Sequence, residues 1–134
     1  MRSIRTEAAP APVAGAPYSQ AVAAAVGEGE VVFVSGQLGV DPLGGGLVAD
    51  DVAEQTALAI RHIAAVLAAA GGGLEHVVKT TVYLTDLAAD FAAMNEVYGH
   101  AFSDTVPARA TVGVAALPLG GRVEIEAVAV IPPR

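Results

Sequence analysis

The sequence predicts an α+β domain, one β-sheet with two helices packed on a single face. Three observations carry that prediction. Residues 51–70 and 87–102 repeat apolar side chains at helical spacing. Short β-branched runs bounded by glycine, proline and acidic residues lie before, between and after them. The resulting order, β-β-α-β-α-β-β, suits one sheet covered from one side by both helices.

Taken in order, EAAPAPVAGAP (7–17) reads as an extended, proline-rich segment, so residues 1–16 form a lead-in to a single domain spanning 1–134. SQAVAAAV (19–26) and VVFVSG (31–36) flank the turn GEGE and predict a β-hairpin. DPLGGGL (41–47) is a loop. The helix from Asp51 has Glu54 as a box-like partner for its N-cap, and Gly71 to Gly73 stop it. Its apolar stripe is Val52, Thr56, Ala59, Ile63, Val66 and Ala70. HVVKTTVYLTD (76–86) is a strand with Val77, Lys79, Thr81 and Tyr83 on one face and Val78, Thr80, Val82 and Leu84 on the other. A second helix runs from Leu87 to Phe102, capped by Asp86, with Phe91, Met94, Tyr98 and Phe102 along one side. RATVGVAAL and RVEIEAVAVI close the chain as two strands, read as adjacent. GGGL occurs at 44 and at 71, but the flanks differ, so no internal repeat follows.

Composition narrows the function classes. Hydrophobic residues make up 54% of the chain and aromatics only 4%, so Ala, Val, Leu and Ile must build the core. A mean hydropathy of +0.56 is high for a small domain and predicts self-association. The net charge of −7 and the scattered basic residues, Lys79 being the lone lysine, disfavour nucleic-acid binding. The absence of cysteine excludes disulfides, thiolate nucleophiles and cysteine-built metal sites. The longest apolar run, Ile63 to Leu74, falls short of the ~18 residues of a membrane span and contains glycines, and nothing resembles a signal peptide, so a cytoplasmic protein is expected.

Arg122, Glu124 and Glu126 alternate with Val123, Ile125, Ala127 and Ala129, placing the three charges on one strand face, which turns apolar at Val128 and Val130, and the other four on a core face. A solvated Arg–Glu pair worth little is one reading. Arg109 follows Val106-Pro107-Ala108, and proline stiffens its approach. A guanidinium so held suits bidentate capture of a carboxylate, or else a structural ion pair. His62, His76 and His100 show no metal-ligand spacing, and His62 fits a helix face better than a metal site. Ser35 in VSGQ lacks a nucleophile-elbow context, and GEGEVV lacks the third glycine of a dinucleotide fingerprint. Tyr18 and Tyr83 read as packing residues with tethered hydroxyls, and Asn95 is a polar residue within a helix.

The segments PYSQAV (17–22), VFVSGQ (32–37), DPLGG (41–45), EQTALAI (54–60), GLEHVVKTTVYLTDL (73–87), DFAAMNEVYGHAF (90–102), VPARATV (106–112) and VEIEAVAV (123–130) together resemble the RidA/YjgF family of reactive-intermediate deaminases. The resemblance implies a chorismate-mutase-like α+β fold with one mixed β-sheet and two helices on one face. It also implies a homotrimer with a barrel-like core and clefts between subunits. The implied activity is hydrolysis of 2-imino acids or their 2-enamine tautomers to 2-keto acids and ammonia, with no cofactor and no metal. Arg109 matches the arginine that holds the substrate carboxylate, and Glu124 the glutamate that activates water and returns a proton to the leaving nitrogen. Tyr18, Ser35 and Asn95 match pocket-lining positions, backbone N–H groups near Gly36 and Thr111 are expected to share the carboxylate, and Glu126 reads as structural. An arginine beside Glu124 would lower its pKa, whereas desolvation would raise it.

Several positions depart from the family pattern: Ala110, Thr111 and His62 stand where serine, cysteine and asparagine are frequent, Ala16 and Gly39 also differ, and DLAADF is one residue longer. These leave the substrate side chain open, 2-aminomuconate included. A non-catalytic trimer binding small carboxylates is the alternative. A holdase role is disfavoured by the single lysine and lack of cysteine, and nuclease activity by the acidic balance.

Overall fold

The computed structural model describes residues 1–133. Six strands form one mixed sheet in the order β1-β2-β3-β6-β4-β5, and two helices complete the domain. The strands are β1 (Arg2–Ile4), β2 (Ala21–Val26), β3 (Gly29–Leu38), β4 (Val77–Leu84), β5 (Ala108–Gly113) and β6 (Val123–Ile131), and the helices are α1 (Val52–Ala70) and α2 (Leu87–Ala101).

Helix α1 follows its sequence signals closely. The Asp51 side chain accepts a hydrogen bond from the Ala53 N–H at its start. At its end Gly71 adopts φ +94°, a left-handed conformation that only glycine takes without steric cost. The whole apolar stripe from Val52 to Ala70 is buried, with Ile60 and Leu67 beside it. Although α1 is long and apolar enough to be mistaken for a membrane span, half of it is buried inside the domain against the sheet and α2. Asp86 caps α2 through the Ala89 N–H, and Met94, Tyr98 and Phe102 are buried beneath it.

One sheet face is the core. Val32, Val34, Val82, Leu84, Val123, Ile125, Ala127 and Ala129 are all buried, and they pack with both helices into one cluster. The opposite face is uncovered: Phe33 is 53% exposed and Val130 45%.

Three features differ from the sequence reading. The lead-in carries a strand, β1, paired antiparallel with β2. The side chain of Gln20 clamps the chain between them, accepting from Thr6 N–H and donating toward the carbonyls of Thr6, Ala9 and Pro10. Val77 lies on the buried face rather than with Lys79, because β4 slips register against β6 between the two and the extra residue reverses the alternation. Finally, the closing strands are not adjacent. The β4–α2–β5 crossover delivers β5 parallel to β4 on its outer side, and β6 runs antiparallel between β3 and β4.

Candidate functional site

The sheet order separates the two residues of greatest chemical interest. Arg109 pairs with Thr80, which pairs in turn with Ala127, three residues along β6 from Glu124. At the usual strand spacing and rise this is roughly 10 Å across the sheet and roughly 10 Å along it. The side chains also leave opposite faces. The neighbours of Glu124, Val123 and Ile125, are fully buried beneath the helices, so Glu124 projects to the uncovered face. The Arg109 guanidinium instead lies on the helix side, 4.7 Å from the centre of the Tyr98 ring and 5.8 Å from that of Phe91.

Around Arg109 the chain builds a cationic corner. Pro107 is buried and fixes the approach to β5. Tyr98 is held from below by a 2.6 Å hydrogen bond with the Thr80 hydroxyl, and burial pushes its phenol pKa up. A guanidinium over two aromatic faces gains about 1 kcal/mol or more and keeps its donor edge unspent. No carboxylate within the described residues forms an ion pair with it. Asn95, exposed on α2, sits four residues after Phe91 and three before Tyr98, on the helix stripe beneath the guanidinium. Thr111, two residues along β5 from Arg109, has a buried hydroxyl with no hydrogen-bond partner among the described residues.

Around Glu124 the surroundings are different. β3 slips register against β6 between Val34 and Gln37, at Ser35–Gly36, directly opposite this stretch of β6. Gly36 is needed there, because a Cβ at that position would lie 2.8 Å from the Glu124 carboxyl carbon. The carboxylate is half-buried; desolvation foremost, and then the negative charge of Glu126, raise its pKa above the ordinary glutamate value. Arg109 plays no part in that balance within one chain, so the opposing pull expected from the sequence is absent here. The Ser35 hydroxyl donates to the Ser19 carbonyl (2.6 Å). The Tyr18 oxygen accepts from the Val13 N–H (3.0 Å), which leaves the phenol proton free to donate.

Beside Gly36 opens a cleft of about 400 Å³. Its walls are the lead-in at Pro10–Val13, Tyr18, the loop 41–45 and Leu119, whose φ of +61° is unusual for a non-glycine residue. The cleft loop is tied to α1 by the buried His62, whose Nε2 donates to the Val40 carbonyl (2.7 Å); burial lowers its pKa and favours the neutral ring. His62 is thus a structural tether.

The residues singled out in the sequence therefore fall into two groups. Arg109, Asn95 and Thr111 gather at the β5–α2 corner, whereas Glu124, Gly36, Ser35 and Tyr18 gather around the bulge of β3. One chain does not bring the groups together. Sequence reading missed a contact in the second group: the Tyr83 hydroxyl donates to the Glu126 carboxylate at 2.6 Å. Its signal was present, since Tyr83 and Glu126 were each assigned to a strand face, but the pairing of those faces requires the sheet order. Arg122, expected on the face of the glutamates, pairs with neither of them: its guanidinium binds Asp50 (2.8 Å) and the buried Asp90 (3.3 Å) and holds the start of β6.

Fold and site together define a class of small α+β protein that holds a carboxylate-free arginine and a reluctantly ionised glutamate on opposite faces of one sheet. The chain belongs to the RidA/YjgF/Endoribonuclease L-PSP family, whose Endoribonuclease L-PSP description matches residues 6–131. It is 50% identical to the 2-iminobutanoate/2-iminopropanoate deaminase of Capra hircus over 122 residues, covering 91% of this chain and 85% of the goat protein. Among solved structures, RidA from an Antarctic Psychrobacter superposes with a TM-score of 0.86 at 47% identity, covering 98% of this chain and 100% of that one. Escherichia coli TdcF with bound serine superposes at 0.87 with 40% identity, over 98% and 100% of the respective chains.

Proposed function

We propose that this protein hydrolyses 2-imino acids, of the 2-iminobutanoate and 2-iminopropanoate type, to 2-keto acids and ammonia, in clefts shared between neighbouring copies of a homotrimer. The observation that carries the reading is Glu124: a half-buried carboxylate whose proton affinity is raised, without an ion-pairing cation among the described residues, and packed against Gly36, which lines an open cleft. The relatives named as deaminases supply the reaction class.

The chemistry follows from the two groups. A 2-imino acid places a carboxylate next to an electrophilic C=N carbon. Arg109 grips the carboxylate through its free donor edge, with the Asn95 amide and the orphaned Thr111 hydroxyl within the same corner. Glu124, from the adjoining copy, takes a proton from water as the water oxygen bonds to C2 of the protonated imine, and the C=N electron pair moves to nitrogen, giving a neutral carbinolamine. Glu124 then returns its proton to the amine of the resulting carbinolamine; C–N breaks, ammonia leaves and the C2 hydroxyl proton is lost to give the keto acid. Tyr18, with its phenol proton unspent, is placed to donate to water or substrate. Assembly is supported by the uncovered sheet face, where Phe33, Val112 and Val130 are too apolar to remain in water at low cost.

Keto-acid release from 2-iminobutanoate, generated in situ by a threonine dehydratase, tests the reading. Acceleration by the wild type that is lost in both Arg109→Ala and Glu124→Gln supports it; a wild-type rate equal to buffer, on this and on 2-iminopropanoate, removes it. One observation favours a second reading, a trimer that binds small carboxylates without turnover: TdcF holds serine. Serine binding by a wild type without imine turnover would establish that alternative.

A further inference from the structure

We infer that Tyr83 and Glu126 act as a positioning pair, which fixes a negative charge beside Glu124 and reserves the exchangeable proton of this acidic cluster for Glu124. The inference deepens the proposed reaction and takes its catalytic meaning from it.

The geometry is specific. Glu124 and Glu126 project from the same face of β6, two residues apart. Tyr83 is the direct cross-strand partner of Glu124 on β4, yet its hydroxyl reaches diagonally to Glu126 Oε1 at 2.6 Å. Two carboxylates so close cannot ionise independently, and the proton taken up by the pair goes to whichever group is less well solvated as an anion. Only Glu126 has a short charge-assisted hydrogen bond; Glu124 has the carboxyl side packed against Gly36 instead. The Tyr83 hydroxyl thus holds the Glu126 carboxylate in place beside Glu124, and Glu124 is the proton acceptor. The shift of Glu124 agrees, with burial its first cause and Glu126 its second.

The other groups around Glu126 are few. On β4, Lys79 lines the same shallow hollow as Glu126, with Thr81 and Phe33, and forms no ion pair with it. β3 opposes Glu126 with the Ser35–Gly36 bulge, which has no ionisable side chain, and β5 turns Ala110 and Val112 to this face. Arg122, just before β6, is committed to Asp50 and Asp90. The charge next to Glu124 on this face is thus Glu126, held by Tyr83.

The test is a carboxyl-carbon NMR titration of the full-length assembled protein labelled with 13C-glutamate. The wild type, Glu126→Gln and Tyr83→Phe are compared, and the Glu124 signal is identified by its loss in Glu124→Gln. The expected result is a Glu124 midpoint that falls in Glu126→Gln but stays above the ordinary glutamate value, because burial, the larger cause, remains. In Tyr83→Phe, which frees the Glu126 carboxylate to move, the Glu124 midpoint falls toward its value in Glu126→Gln. The low-pH limb of kcat/KM for imine hydrolysis should move down with the Glu124 midpoint in Glu126→Gln, with KM unchanged. A Glu124 midpoint unmoved in a folded Glu126→Gln protein overturns the inference, whatever the turnover. If Glu124 shifts as expected but the wild type hydrolyses no imine, the pair stands and the deaminase reading falls.

Discussion

The β5–α2 corner and the β3 bulge solve opposite electrostatic problems. At the corner, a cation is stacked on two rings and left without a carboxylate, so its full charge is available to an anion from outside. At the bulge, a carboxylate is packed against a glycine beside a second carboxylate, so its charged form is disfavoured and it takes up a proton readily. Had the fold placed them together, each would have neutralised the other: Arg109 would have lost its anion site and Glu124 its basicity. Keeping the two charges on opposite faces of one sheet preserves both, and in the proposed reaction a second chain brings them to one substrate.

Substitutions should separate the two regions by kinetic signature. Glu124→Gln has the largest expected effect, a loss of about 10³-fold in kcat with KM nearly unchanged, since it removes proton transfer and leaves the anchor. Arg109→Ala should instead act mainly through KM, lowering kcat/KM by about 10²-fold. Arg109→Lys should recover only part of that, because an ammonium cannot reproduce the planar fork. A defect in Arg109→Ala confined to kcat would contradict the anchor role. Gly36→Ala probes the bulge alone. A new Cβ 2.8 Å from the Glu124 carboxyl must displace it, so roughly a tenfold fall in kcat is expected with KM and oligomeric state preserved. Beneath the corner, Tyr98→Phe leaves the buried Thr80 hydroxyl without its partner and should cost about 1 kcal/mol of stability, measured by denaturant unfolding, with little change in kcat.

The smallest effect is on the pH dependence of stability. The folded-state pKa of Glu124 is raised, so the native protein binds more protons than the unfolded chain between the ordinary glutamate value and the raised one. The contribution of Glu124 to stability is therefore greatest at acid pH and declines as pH rises through that window. Glu124→Gln should accordingly raise Tm at neutral pH and give no such gain below the ordinary glutamate pKa. A Tm gain that is equal at both pH values would mean that burial does not raise the Glu124 pKa.

Local signals in the sequence located most elements. The cap at Asp51, the stop at Gly71 and the stripe between them defined α1, and alternation placed Val123, Ile125, Ala127 and Ala129 on a core face. Features that depend on one inserted residue or on distant pairing were not legible. The register slips at Val77–Lys79 and Val34–Gln37 leave no local mark, and β1 is too short to show a period. The separation of Arg109 from Glu124 is a consequence of topology: nothing within RATVGV or RVEIEA shows that β4 lies between them. The site residues could thus be named from motifs, while their division into two faces, and the Tyr83–Glu126 contact, required the sheet.

The most direct test of a cleft shared between chains is complementation. Arg109→Ala and Glu124→Gln proteins, each inactive alone, are unfolded together, refolded as a 1:1 mixture and assayed for 2-iminobutanoate hydrolysis. With random assembly into trimers and one cleft per neighbouring pair, about one quarter of the clefts combine an intact Arg109 with an intact Glu124. Recovery of about a quarter of wild-type activity is therefore the predicted result. A mixture as inactive as its two components, in a refolded sample shown to contain mixed trimers, would contradict the shared cleft.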